Sequence, residues 1–110
     1  MYIDIAVKVG DEYVRVCKPK LFYYSTSISD LICAACYKEI KTGIYKASEI
    51  LRAFDRGITE LIVHRKDYNF WYDEDINLAG DIMQSVINDM CEVRNKNNAS
   101  PENFYIRFYK

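Results

Sequence analysis

Cys33-Ala34-Ala35-Cys36 and the lone His64 are the side chains of this sequence best suited to redox, metal or nucleophilic chemistry. A reactive Cys-x-x-Cys needs thiolates stabilised by a helix N-terminus or by neighbouring cations. Here Cys33 falls near the sixth residue of a helix expected to begin at Ser27, about a turn past its positive end. A structural zinc site wants four ligands, and no second Cys or His pair follows at close spacing. Packed, reduced thiols are therefore expected at Cys17, Cys33, Cys36 and Cys91. His64 lies in a β-branched stretch, Thr59 to Arg65, with Ile62 on the same face, and reads as a structural histidine. The chain has no Gly-x-Ser-x-Gly elbow, His-Glu-x-x-His helix or Gly-rich phosphate loop, the commonest hydrolase, zinc-protease and nucleotide-hydrolysing signatures. We expect no catalytic residue, no metal site and no cofactor.

Recognition chemistry is better represented. Between Asp67 and Val93 there are seven acidic residues and no Lys or Arg, so the other nine acids face all fifteen basic residues. That run opens on aromatics, Tyr68-Asn69-Phe70-Trp71-Tyr72, followed by Asp73-Glu74-Asp75. Acids at a helix start meet its positive end, each worth about 0.3–1 kcal/mol, which accounts for part of the cluster without a partner. The remainder supports an anionic, aromatic-edged docking surface made of Asp67, Tyr68, Trp71, Tyr72, Asp73, Glu74 and Asp75. Phe70 and Tyr72 are expected to point inward against Val63 and Leu61, leaving Trp71 outside as the anchor.

A second constellation lies on strands. Tyr105, Arg107 and Tyr109 share one face of the C-terminal segment, and Tyr13 with Arg15 share one face of an N-terminal segment. Aromatic rings and guanidinium planes can stack bases, and Arg can fork onto phosphate. The same residue types also fill subunit interfaces. An extended nucleic acid is disfavoured by a net charge of −1 and the lack of a basic run.

These residues must be positioned by the elements that periodicity implies. Ile3, Ile5, Val7 and Val9 alternate with polar neighbours, and Gly10-Asp11 is a two-residue turn with Gly first. This sets Val9 against Glu12, Lys8 against Tyr13, Val7 against Val14, Ala6 against Arg15 and Ile5 against Val16. Leu21 to Tyr24 is expected as an edge strand or extended arm. A helix from Ser27, with Ile28, Leu31, Ile32, Ala35 and Ile40 inward, is expected to stop at Gly43. A second helix spans about Lys46 to Arg56 and stops at Gly57. Thr59–Arg65 and Tyr68–Tyr72 then form a second hairpin, and a long helix runs from Asp73 or Asp75 to about Arg94. Phe104 to Lys110 closes the chain as a strand. The expected class is α+β, a two-layer sandwich of a mostly antiparallel sheet of four to six strands and three helices, in the order β-β-α-α-β-β-α-β.

At 110 residues, half of them apolar, the chain is expected to be a single domain spanning residues 1–110 with a sufficient core. No apolar run approaches the about 18 residues of a membrane helix, and the N-terminus lacks a secretory pattern, so a cytoplasmic protein without a membrane partner is expected. Abundant Ile, Tyr, Lys and Asn suit an AT-rich genome, such as those of low-GC bacteria and their phages. Size, charge layout and composition together suggest a non-catalytic binding protein: a small phage or mobile-element inhibitor, of anti-CRISPR or other anti-defence type, acting in the host cytoplasm. It would block a basic, nucleic-acid-binding surface of a host protein. The alternative is a homo-oligomer that sequesters a small nucleotide or cyclic nucleotide signal between subunits through Tyr13, Arg15, Tyr105, Arg107 and Tyr109.

Overall fold

The computed structural model describes residues 1–23 and 25–110, so the last residue of the expected Leu21–Tyr24 arm lies outside the described residues. Alternation in the first strand produces the expected hairpin. Tyr2–Val9 (β1) pairs antiparallel with Glu12–Arg15 (β2) in the register Val9↔Glu12, Lys8↔Tyr13, Val7↔Val14 and Ala6↔Arg15, and the Val16 amide continues it to the Ile5 carbonyl at 3.0 Å. Gly10 turns the chain at φ +63°, a conformation that costs glycine least. Lys20–Leu21 (β3) pairs with the start of β1.

Ser25 caps the first helix, α1 (Thr26–Cys36), accepting a bond from the Ile28 amide at 3.3 Å, and Tyr37 ends it at φ +51°. The expected cap at Ser27 and stop at Gly43 are thus displaced. Gly43 instead opens a strand, β4 (Gly43–Lys46), and Ile40 is buried from the connecting loop. The largest correction concerns residues 59–72. Helix α2 runs through Ala47–Val63, so Thr59–Arg65 is mostly helix. A short 3-10 turn at Arg65–Tyr68 follows in place of the expected partner strand Tyr68–Tyr72. The reason lies in spacing: Ala47, Ile50, Phe54, Gly57 and Leu61 are all buried on one face and recur at alternating steps of three and four, the period of a helix. Gly57 is not a stop. A Cβ there would sit 2.7 Å from Cys36 Sγ and 2.9 Å from Met83 Sδ, so glycine permits α2 to approach both neighbouring helices.

Helix α3 (Asp73–Lys96) buries Ile76, Ala79, Met83, Val86, Met90 and Val93, with Ile82 and Ile87 half-buried. The chain returns through Phe104–Tyr109 (β5), which pairs with both β1 and β4. The sheet order is β2-β1-β5-β4, antiparallel throughout, with β3 beside β1. Among the described residues, three helices and a five-stranded antiparallel sheet give the expected α+β class. Ile3, Ile5, Val7, Phe104, Ile106 and Phe108 carry the inner sheet face into one core with the helices. The outer face is left to Tyr2, Asp4, Ala6 and Lys8 of β1 and their cross-strand neighbours.

Candidate functional site

Two surfaces emerge. The first is the corner where α2 passes through the 3-10 turn into α3. Tyr68, expected on the docking surface, is buried and donates its hydroxyl to Glu60 Oε1 at 3.0 Å. Burial first, and then the Glu60 carboxylate, push its phenol pKa well above the ordinary value. Trp71 is half-buried against the core, with Nε1 donating to the Ser27 carbonyl at 3.2 Å and its ring tilted on Tyr68 at 6.1 Å. Phe70 and Tyr72, expected to face inward, are 93% and 81% exposed. The inside-outside alternation is thus reversed, because the segment is a tight turn anchored by Trp71 instead of a strand paired through Phe70. Ile62 and Val63, at the end of α2, are also largely exposed.

The acids of this corner are only partly free. Asp67, Asp73 and Glu74 are exposed and Asp75 is half-buried. Arg65 reaches Asp73 Oδ1 at 3.4 Å and Asn77 Oδ1 at 3.1 Å, and His64 Nδ1 lies 3.9 Å from Asp67 Oδ2. Further along α3, Asp89 pairs with Lys20, and Glu92 pairs with Lys96 at 2.7 Å. The seven acids therefore do not form one surface. With Arg65 and Lys66 beside them, the four acids of the corner carry a local net charge of −2.

The second surface is the outer sheet face. Tyr13, Arg15, Tyr105, Arg107 and Tyr109 do come together there, around a residue the sequence reading did not single out. Asp4 is 1% exposed and receives Arg107 Nε at 2.7 Å, a second Arg107 nitrogen at 2.7 Å and Arg15 Nε at 2.8 Å. Strand pairing sets Arg107 directly opposite Asp4, and Arg15, opposite Ala6, lies diagonal to it. Burial alone would raise the Asp4 carboxyl pKa; hydrogen bonds from Arg107 and Arg15 and their charges outweigh it and hold the group below its ordinary value. The expected register, with Ala6 against Arg15, already implied the diagonal. Tyrosine pairs flank the cluster: Tyr13 meets Tyr105 edge-on at 5.1 Å, and Tyr2 stacks on Tyr109 at 6.2 Å.

The cysteines are free thiols, Cys36 buried, Cys17 and Cys33 half-buried, and Cys91, expected as packed, exposed. Cys36 Sγ lies 3.6 Å from Met83 Sδ, and burial pushes its pKa up to about 12, opposite to what a reactive thiol needs. Burial likewise raises the Cys17 thiol. His64, expected on a strand, is the exposed residue capping the C-terminus of α2. Among the described residues no three His, Cys, Asp or Glu side chains gather as metal ligands would, and no helix is long and apolar enough to cross a membrane.

Compared with protein-family profiles, with characterised proteins and with solved structures, the chain matches none of them.

Proposed function

We propose that the protein is a non-catalytic binding protein that docks the α2–α3 corner onto a basic surface of a partner. The reading is of a small inhibitor, phage-borne in keeping with its composition, that occupies a surface on which a host protein would otherwise hold nucleic acid. The observation that carries it is the near-complete exposure of Phe70 and Tyr72 beside Asp67, Asp73 and Glu74. Exposed aromatics ringed by charge fit the pattern of interface hot spots, in which a few rings supply most of the affinity and the charges supply orientation and rate. Phe70 and Tyr72 replace Trp71 as the anchors, and Trp71 serves the fold.

The test is capture from host lysate with wild type, Phe70→Ser/Tyr72→Ser and Asp73→Lys/Glu74→Lys/Asp75→Lys proteins, followed by assay of the captured partner on nucleic acid. Wild type should retain one basic nucleic-acid-binding protein and lower its binding to nucleic acid. Both variants should lose it, the aromatic variant by about tenfold or more. Equal capture by all three would overturn the reading. Phe70→Ser should change stability by no more than about 0.5 kcal/mol and Tyr72→Ser, at the uncapped N-terminus of α3, should not lower it, so thermal unfolding separates lost docking from lost folding.

A further inference from the structure

We propose that the outer face of the sheet binds single-stranded nucleic acid, with bases against the tyrosine pairs and phosphates against the surrounding cations. Among the described residues, the paired strand positions of this face carry Lys8, Arg15, Lys46 and Arg107 and one carboxylate, Asp4, a net +3 on a chain whose total charge is −1. The overall acidity, which disfavours nucleic acid when read from sequence, belongs largely to the helices. Charge separation of this kind gives a polyanion a local surface that net charge conceals.

Geometry adds to the charge. Asp4 takes up Nε and one terminal nitrogen of Arg107, which fixes that guanidinium plane, and tethers Arg15 through its Nε, leaving Nη1 of each unused by those bonds. Arginines locked by a buried carboxylate lose little further freedom on meeting a phosphate. Lys8 already lies 5.7 Å over the Tyr13 ring, placing a cation beside an aromatic surface. Antiparallel sheets that bind single-stranded RNA stack two or three bases on aromatics of one face, and this face presents tyrosines from β1, β2 and β5.

A second copy of this chain is a poorer occupant. An isologous contact through this face would set its four cations against the same four, with Asp4 already engaged. That also argues against a ligand sandwiched between two such faces.

Fluorescence anisotropy with labelled oligo(dT), oligo(rU) and a duplex of equal length tests the proposal at low salt and across a salt series. Both single strands should bind, and the duplex about tenfold or more weaker. Lys8→Glu/Lys46→Glu should reduce affinity and flatten the slope of log K against log salt by about 1.4, the value for two lost phosphate contacts. Tyr105→Ala should weaken binding about tenfold. Asp73→Lys/Glu74→Lys/Asp75→Lys should bind the strands at least as well as wild type, which separates this site from the docking corner. No binding of either strand, equal binding of duplex, or full binding by the Lys8→Glu/Lys46→Glu protein would overturn it. So would a dimer in native mass spectrometry that those two substitutions disperse.

Discussion

Asp4 shows how much one side chain can determine and how quietly a sequence carries it. It is a single acid in an alternating strand, yet its carboxylate is fully buried between two arginines. The partners are unequal. Arg107 supplies two charge-assisted bonds and is mostly covered, whereas Arg15 supplies one and is half exposed. Arg107→Ala should therefore cost about 3 kcal/mol by leaving the buried carboxylate under-partnered, and Arg15→Ala about 1 kcal/mol, measured by urea unfolding. The pH dependence has a definite sign. Because the folded pKa of Asp4 is depressed, its stabilisation is complete above the unfolded value of about 3.9 and is lost as pH falls through the folded value. The stability gap between wild type and Asp4→Asn should be full at neutral pH and close in acid; a gap that is constant with pH would refute the clamp.

At the scale of elements, legibility followed whether local signals agreed. In the β1–β2 hairpin, alternation and a turn glycine pointed the same way, and the register came out as expected. In α2 they conflicted. Gly57, Thr59, Ile62 and Val63 suggested a stop and then a strand, while buried Phe54, Gly57 and Leu61 kept the helical period. Tertiary packing decides between them: glycine lets α2 approach Cys36 and Met83 closely, a contact that no local pattern reveals. The same conflict conceals the exposed rings of the α2–α3 corner, since a strand at 68–72 would put Phe70 inside and Trp71 outside. Gly57→Ala provides a direct check. Better helix propensity should contribute about 1 kcal/mol, but crowding of Cys36 Sγ costs about 1–3 kcal/mol, so the substitution should be neutral to destabilising. Adding Cys36→Ala removes the nearest obstructing atom, and the pair should be less destabilised than the two single costs added together. Strict additivity would mean that the close approach is not what fixes glycine there.

For the whole molecule, the decisive property is where charge sits, and the linear run from Asp67 to Val93 misrepresents it. Folding brings Arg65 to one end of the run, and Lys20 and Lys96 to the other. Asp75 and Asp89 are separated by about 21 Å along α3 at the usual rise per residue. That is about twice the Debye length at 0.1 M salt, so acids at the far end act on the α2–α3 corner only weakly. Association with a basic partner should accordingly respond to position and not to total charge. Asp73→Asn/Glu74→Gln/Asp75→Asn should lower the association rate and its salt dependence, while Asp89→Asn/Glu92→Gln should leave both nearly unchanged, with dissociation little altered in either case. Surface plasmon resonance against the captured partner over a range of salt distinguishes these outcomes. Equal slowing by the two variants would mean that the partner senses the overall field of the chain, and that the corner does not steer docking.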